Sequence, residues 1–177
     1  MKVSKKIVTT VSTLSLLVIA PLMLSAGAAS AQPKGTDASY VGAGMSFGAT
    51  SGGNANDAAT YGGNIQGRVA IPNAPVSVRG SVLFTDKNST VIPTLTYDAP
   101  IARNTNLYAG VGYSFVQNQG ATATPLGNRD SVVLTTGVES EVAKNVMVYS
   151  DAKYGINAYQ NSSANALSFQ LGVGYRF

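Results

Sequence analysis

Leu167-Ser168-Phe169-Gln170-Leu171-Gly172-Val173-Gly174-Tyr175-Arg176-Phe177 decides the fold. Leu167, Phe169, Leu171, Val173, Tyr175 and Phe177 are large and apolar, and the residues between them are small or polar. Alternation with period two puts one set on each face of a strand. About nine to eleven such residues also suffice for a tilted strand to cross a bilayer. Working outward, the question is whether other stretches repeat the pattern and close it into a barrel.

The first 31 residues read as a secretory leader rather than part of that pattern. Lys2, Lys5 and Lys6 give the positive start, Ile7 to Leu24 is mostly apolar, and Ala29-Ser30-Ala31 is a small-x-small cleavage site. The rival reading is a membrane anchor of about eighteen residues; Pro21, the hydroxyl residues and the cleavage site argue for removal. The mature chain then starts at Gln32, with a short polar lead-in to Ala38 and one domain from residue 39 to 177. Without the leader lysines, nine Lys and Arg face eight Asp and Glu, so no basic surface for nucleic acid is expected. The chain has no cysteine, which excludes a disulfide framework. Charged residues are only 11% and glycines number 19, low charge and high glycine for a soluble domain.

Eight alternating stretches follow the leader, and none has the helical period. The first sets Val41, Ala43, Met45 and Phe47 against Gly42, Gly44, Ser46 and Gly48. The second sets Tyr61, Ile65, Val69 and Ile71 against Asn64, Gln66 and Arg68; the third, Val76, Val78, Val82 and Phe84 against Ser77, Arg79 and Ser81. The fourth sets Val91, Leu95, Tyr97 and Ala99 against Thr94, Thr96 and Asp98. Pro93 interrupts it and cannot donate to a ladder, so a bulge is expected there. The fifth, sixth and seventh run over Leu107–Phe115, Ser131–Glu139 and Val146–Ile156.

One face is uniformly Val, Leu, Ile, Phe and Tyr and must be hidden from water. The other carries Arg68, Arg79, Asp98, Glu139, Asp151, Lys153 and Arg176 among glycines. Seven charges are costly in a dry sandwich core. Inside a small barrel opposite signs can pair while lipid covers the outside, and closure is obligatory because an open edge in hydrocarbon leaves backbone groups unpaired. The expected fold is therefore an all-β, eight-stranded antiparallel up-and-down transmembrane barrel. Its long connections (Thr50 to Thr60, Gln117 to Arg129, Asn157 to Ala164) share one end with the short Asp86–Ser89 turn. Pro72–Pro75, Arg103-Asn104 and Ala143–Asn145 turn the chain at the other end, which puts long loops outside and both termini in the periplasm. Phe47, Tyr61, Phe84, Phe115, Tyr154 and Phe169 fall near the loop ends, and Tyr97, Tyr175 and Phe177 near the turn ends, as two interfacial girdles.

On these residues the chain resembles the eight-stranded outer-membrane β-barrel family, the small OmpA-like and opacity-type surface proteins of the Gram-negative envelope. The resemblance covers residues 39 to 177. It implies that the outward row of the last strand, Phe169, Leu171, Val173, Tyr175 and Phe177, ending in Tyr175-Arg176-Phe177, serves as the assembly signal. The implied partners are outer-membrane lipid, the outer-membrane assembly machinery and periplasmic chaperones.

Chemistry is poorly represented. With no histidine, general-base catalysis would fall to a carboxylate or lysine, and Asp98, Glu139 and Asp151 are better explained as partners of Arg68, Arg79, Lys153 and Arg176. No catalytic, metal or cofactor site is expected: no ligand spacing links Asp57, Asp86 and Asp130 into a calcium site. Gly42-Ala43-Gly44 and Gly172-Val173-Gly174 open no helix and fail as nucleotide loops; their inward position explains them better, as room where opposite walls crowd the lumen. The expectation is a surface or structural protein whose loops, chiefly Thr50 to Thr60 and Gln117 to Arg129, serve adhesion or envelope integrity, with no partner named by a charge or aromatic cluster. The alternative is a small porin-like channel. Eight strands enclose a lumen that side chains fill, yet inward glycines at 42, 44, 48, 110, 112, 137, 155, 172 and 174 would leave space for water.

Overall fold

The computed structural model describes residues 34–53 and 60–177. The expected leader, the first two lead-in residues and the part of the first long loop holding Asp57 lie outside the described residues.

Eight strands, β1 (Tyr40–Gly48), β2 (Tyr61–Ala70), β3 (Val76–Phe84), β4 (Ser89–Ala102), β5 (Thr105–Val116), β6 (Ser131–Ala143), β7 (Val146–Ile156) and β8 (Ala166–Arg176), pair in chain order. All pairs are antiparallel, and β1 pairs with β8 to close the barrel. The seam is regular: Val41 faces Tyr175, Ala43 faces Val173, Met45 faces Leu171 and Phe47 faces Phe169. A one-residue slip there would carry Arg and Gln side chains to the lipid face, so the period of two holds the register. The short turns at 73, 104 and 145 each place an asparagine in the left-handed region, with φ of 59°, 61° and 63°. Asparagine tolerates that backbone better than other residues with a Cβ.

The apolar faces point outward. Val41, Met45, Ile65, Val69, Val78, Leu95, Val111, Leu171 and Val173 are all exposed in the isolated chain, as are the nine girdle aromatics. Pro93 belongs to this outer face, and here the structure corrects the sequence reading. No bulge forms at Pro93: it opposes Gly80 on β3, and the β4–β5 ladder keeps one register on either side of it. The shifts lie instead between Pro100 and Ala102 and between Glu141 and Ala143, at the turn ends of long strands. A proline with its missing N–H is tolerated where a single ladder bond can be given up.

The inward glycines do not leave open space, a second correction. A Cβ on Gly42 would lie 2.8 Å from the Tyr149 ring and on Gly172 2.4 Å from its hydroxyl. On Gly174 it would meet Tyr40 at 2.8 Å, and on Gly137 it would meet Tyr108 at 2.6 Å. These glycines are seats for tyrosine rings that lie along the wall from neighbouring strands: Tyr149 faces Gly172 and Tyr108 faces Gly137 in the ladder. Tyr40 and Tyr149 stack with centroids 5.9 Å apart.

Candidate functional site: a charged lumen and its two mouths

The lumen is organised by buried ions. Arg68 reaches Asp98 at 2.9 Å and Glu139 at 3.3 Å; Arg79 reaches Asp98 and Glu139 at 2.8 Å each. Ser77 also donates to Asp98. Tyr40 donates to Glu139 at 3.1 Å and accepts from Gln66 and Arg79. The Arg79 guanidinium lies 3.7 Å from the centroid of the Tyr108 ring, a cation–π contact. Tyr108 in turn donates to Asp151 at 2.9 Å, and Lys153 donates to the other oxygen of Asp151 at 2.8 Å. Six of the seven expected lumen charges thus form two linked groups, three cations against three anions. All six side chains are nearly fully buried.

Arg176 is the exception. Its side chain is 35% exposed and pairs with Glu141 at 2.5 Å and Asp37 at 2.9 Å. It alternates inward with the rest of β8, but its position at the last turn-end residue puts the guanidinium on the rim, where two carboxylates outside the expected set meet it.

Both mouths of the lumen are occupied by residues from outside the strands, by different means. At the turn end, Thr36 to Ala38 fold back into the mouth. Asn106 accepts from the Thr36 N–H at 3.1 Å and donates to the Thr36 carbonyl at 2.7 Å. Arg68 donates to the carbonyls of Thr36 and Ala38 at 3.3 and 2.7 Å. The strap therefore completes the guanidinium's hydrogen bonding. At the loop end, the long loop dips inward: its Ala123 and Leu126 pack with Ala158 and Tyr159 of the β7–β8 loop and with Leu83, Ile92, Val133 and Ala166 in a buried apolar cluster. Thr124 and Gly127 exchange backbone bonds of 2.7 and 3.0 Å around this dip. Asn128 donates to Ala121 and accepts from Gln160, tying it down. The sequence reading missed both plugs. Leu126 in an otherwise polar loop was the available signal for one of them.

The assembly-signal row, Phe169, Leu171, Val173, Tyr175 and Phe177, forms one continuous outward stripe beside the β1 seam. Asp86 is exposed, and Asp130 accepts from the Val116 N–H at 2.8 Å. Among the described residues no three His, Cys, Asp or Glu side chains gather to hold an ion. Asp98, Glu139 and Asp151 spend their oxygens on cations and hydroxyls, which is a structural use of carboxylates.

The chain belongs to the outer membrane protein β-barrel domain family, whose model matches residues 18–177. That places the protein in the outer membrane as an eight-stranded barrel. Neisserial surface protein A is similar at 18% identity, over 78% of this chain and 97% of that one, with a TM-score of 0.54. The attachment invasion locus protein Ail of Yersinia pestis has 18% identity over 80% of this chain and all of that one, with a TM-score of 0.48. Outer membrane protein H of P. aeruginosa has 16% identity over 78% and 99%, with a TM-score of 0.47. No curated protein sequence matches the chain.

Proposed function

We propose that this chain is a non-catalytic surface barrel whose loop end faces outward and carries its activity, in adhesion or envelope integrity. It is exported through the leader of residues 1–31 and has both mature termini in the periplasm. Periplasmic chaperones and the assembly machinery would take it to the membrane, the latter reading the β8 stripe that ends at Phe177. The observation that carries this reading is the pair of seals. An apolar plug at one mouth and a hydrogen-bonded strap at the other leave the loop tips as the parts free to meet a partner. The dip at residues 123–128 belongs to the seal, so within the long loop the activity falls to Gln117–Gly120 and Arg129, which are exposed.

The test compares the intact protein with a version in which 117–120 is replaced by Gly and Ser and the first long loop is cut to a tight turn. Loss of cell adhesion or of envelope integrity, with the heat-modifiable barrel band retained, supports the reading. Unchanged adhesion and integrity in a folded variant contradict it.

A further inference from the structure

On the outer wall at the loop end, a groove of about 720 Å³ runs from the lipid-facing girdle to the loops, lined by Thr60, Tyr61, Phe84, Thr85, Asp86 and Thr122 among others. Its floor is the Phe84 ring, which lies flat on β2 because residue 63 is glycine; a Cβ there would be 2.3 Å from the ring's Cζ. Its wall is Tyr61, 80% exposed. Its rim carries three threonines and one carboxylate, and the Thr60 hydroxyl is buried with no hydrogen-bond partner among the described residues.

The groove is built rather than incidental. The buried side chain of Asn88 donates to the carbonyls of Asn118 and Thr122, each at 3.0 Å, and accepts from the Asn118 N–H at 3.1 Å. This clamps the β3–β4 turn to the long loop and fixes Thr85 and Asp86 relative to Thr122. Thr85 Oγ1 accepts from the N–H groups of Lys87 and Asn88 and orders the same turn. A preformed cleft with an aromatic floor and a few convergent polar groups has the general form of a ligand site.

Its chemistry narrows the ligand. One end lies among lipid-facing aromatics and the other among loop residues, so the occupant has an apolar and a water-facing part. Among the described residues Asp86 is the only charged lining group, and a carboxylate repels phosphate. An aromatic face suits C–H groups, while hydroxyls and a carboxylate suit hydroxyl donors. We propose that the groove holds a sugar ring in the uncharged head of an outer-leaflet glycolipid. The proposal rests on the reading that the loop end faces outward.

The full mature protein is placed in phosphatidylcholine nanodiscs doped with glucosyl-diacylglycerol, and the threonine methyl resonances of residues 60, 85 and 122 are followed. These signals should shift saturably. They should shift at least tenfold less readily with phosphatidylglycerol or with soluble maltose. Tyr61→Ala should raise the glycolipid fraction needed at least tenfold and Asp86→Asn severalfold, whereas Tyr154→Ala, in the same girdle on β7, should change it less than twofold. Equal loss with Tyr154→Ala would mean general interfacial anchoring and overturn the proposal. So would an equal response to phosphatidylglycerol, an equal response to maltose, or no response in a folded barrel. Labelling of Lys87 by an impermeant amine reagent on intact cells tests the orientation separately. Protection of Lys87 there would remove the outward-facing reading, whatever the nanodiscs show.

Discussion

The two mouths of this barrel are occupied by opposite chemistries. At the turn end, Arg68 and Asn106 hold a backbone strap through four hydrogen bonds, and the ions behind it are paired. At the loop end, a dip of the long loop pushes Ala123 and Leu126 onto Leu83, Ile92 and Val133 with no charge involved. The difference follows from where the residues come from. The ionic half is built from strand positions, which are rigid enough to hold two arginines against two carboxylates. The apolar half brings loop residues, which no ladder fixes, down onto strand residues Leu83, Ile92, Val133 and Ala166, and gains by that burial. Ionic pairing therefore fills the strand-built interior, and apolar burial holds the lid.

The largest effect should come from breaking the ionic half. Removing one partner of a buried pair costs about 3–5 kcal/mol, because the other charge is left unpaired. Glu139→Ala takes from Arg68 and Arg79 one of their two carboxylates and from the Tyr40 hydroxyl its acceptor, leaving two cations on Asp98 alone, and should fall in that range, as should Asp98→Ala. Asp86→Ala, on an exposed turn, should cost only a few tenths of a kcal/mol. Unfolding midpoints in detergent would check this, and equal midpoints for Glu139→Ala and Asp86→Ala would show that these lumen carboxylates are not what the barrel depends on.

Breaking the apolar half should cost less. Leu126→Ala removes a fully buried side chain from the lid, a change worth about 2–5 kcal/mol in a rigid core. A loop can collapse around the gap, so the expected loss is about 2 kcal/mol. It should appear first as faster proteolysis of the 117–130 loop rather than as a lower midpoint for the whole barrel. A midpoint loss as large as that of Glu139→Ala would mean that the lid, too, is part of the cooperative fold.

These two halves were unequally legible in the sequence. All eight strands, their closure and the outward aromatics follow from period two, because lipid outside and charge inside leave no other use for that alternation. Arg68, Arg79, Asp98, Glu139, Asp151 and Lys153 could be assigned to the lumen for the same reason. Arg176 follows the same alternation yet lands on the rim, since period tells which face a residue takes and not how deep it sits. The glycines misled in a related way. Gly42, Gly172 and Gly174 read equally as room for crowding side chains and as space for water, and only the rings of Tyr149 and Tyr40, reaching them from neighbouring strands, decide for the first. The strap and the lid are irregular backbone, placed by particular hydrogen bonds of Asn106, Arg68 and Asn128, which no pattern announces.

The rim pair should give the smallest effect. Arg176→Ala removes contacts to Asp37 and Glu141 that water reaches, so a change of about 0.2–1 kcal/mol is expected. High salt should reduce it further. A loss in the range of Glu139→Ala would return Arg176 to the lumen group and undo the distinction between rim and interior.

The central claim is that the two seals together close the lumen. Single-channel recording of the purified mature barrel in planar bilayers addresses it most directly. The account predicts no steady conductance from the intact protein. Brief openings should appear only when the lid and the strap are both weakened, as in Leu126→Ala combined with Asn106→Ala. Steady currents of uniform size from the unaltered protein would contradict it and make the chain a channel.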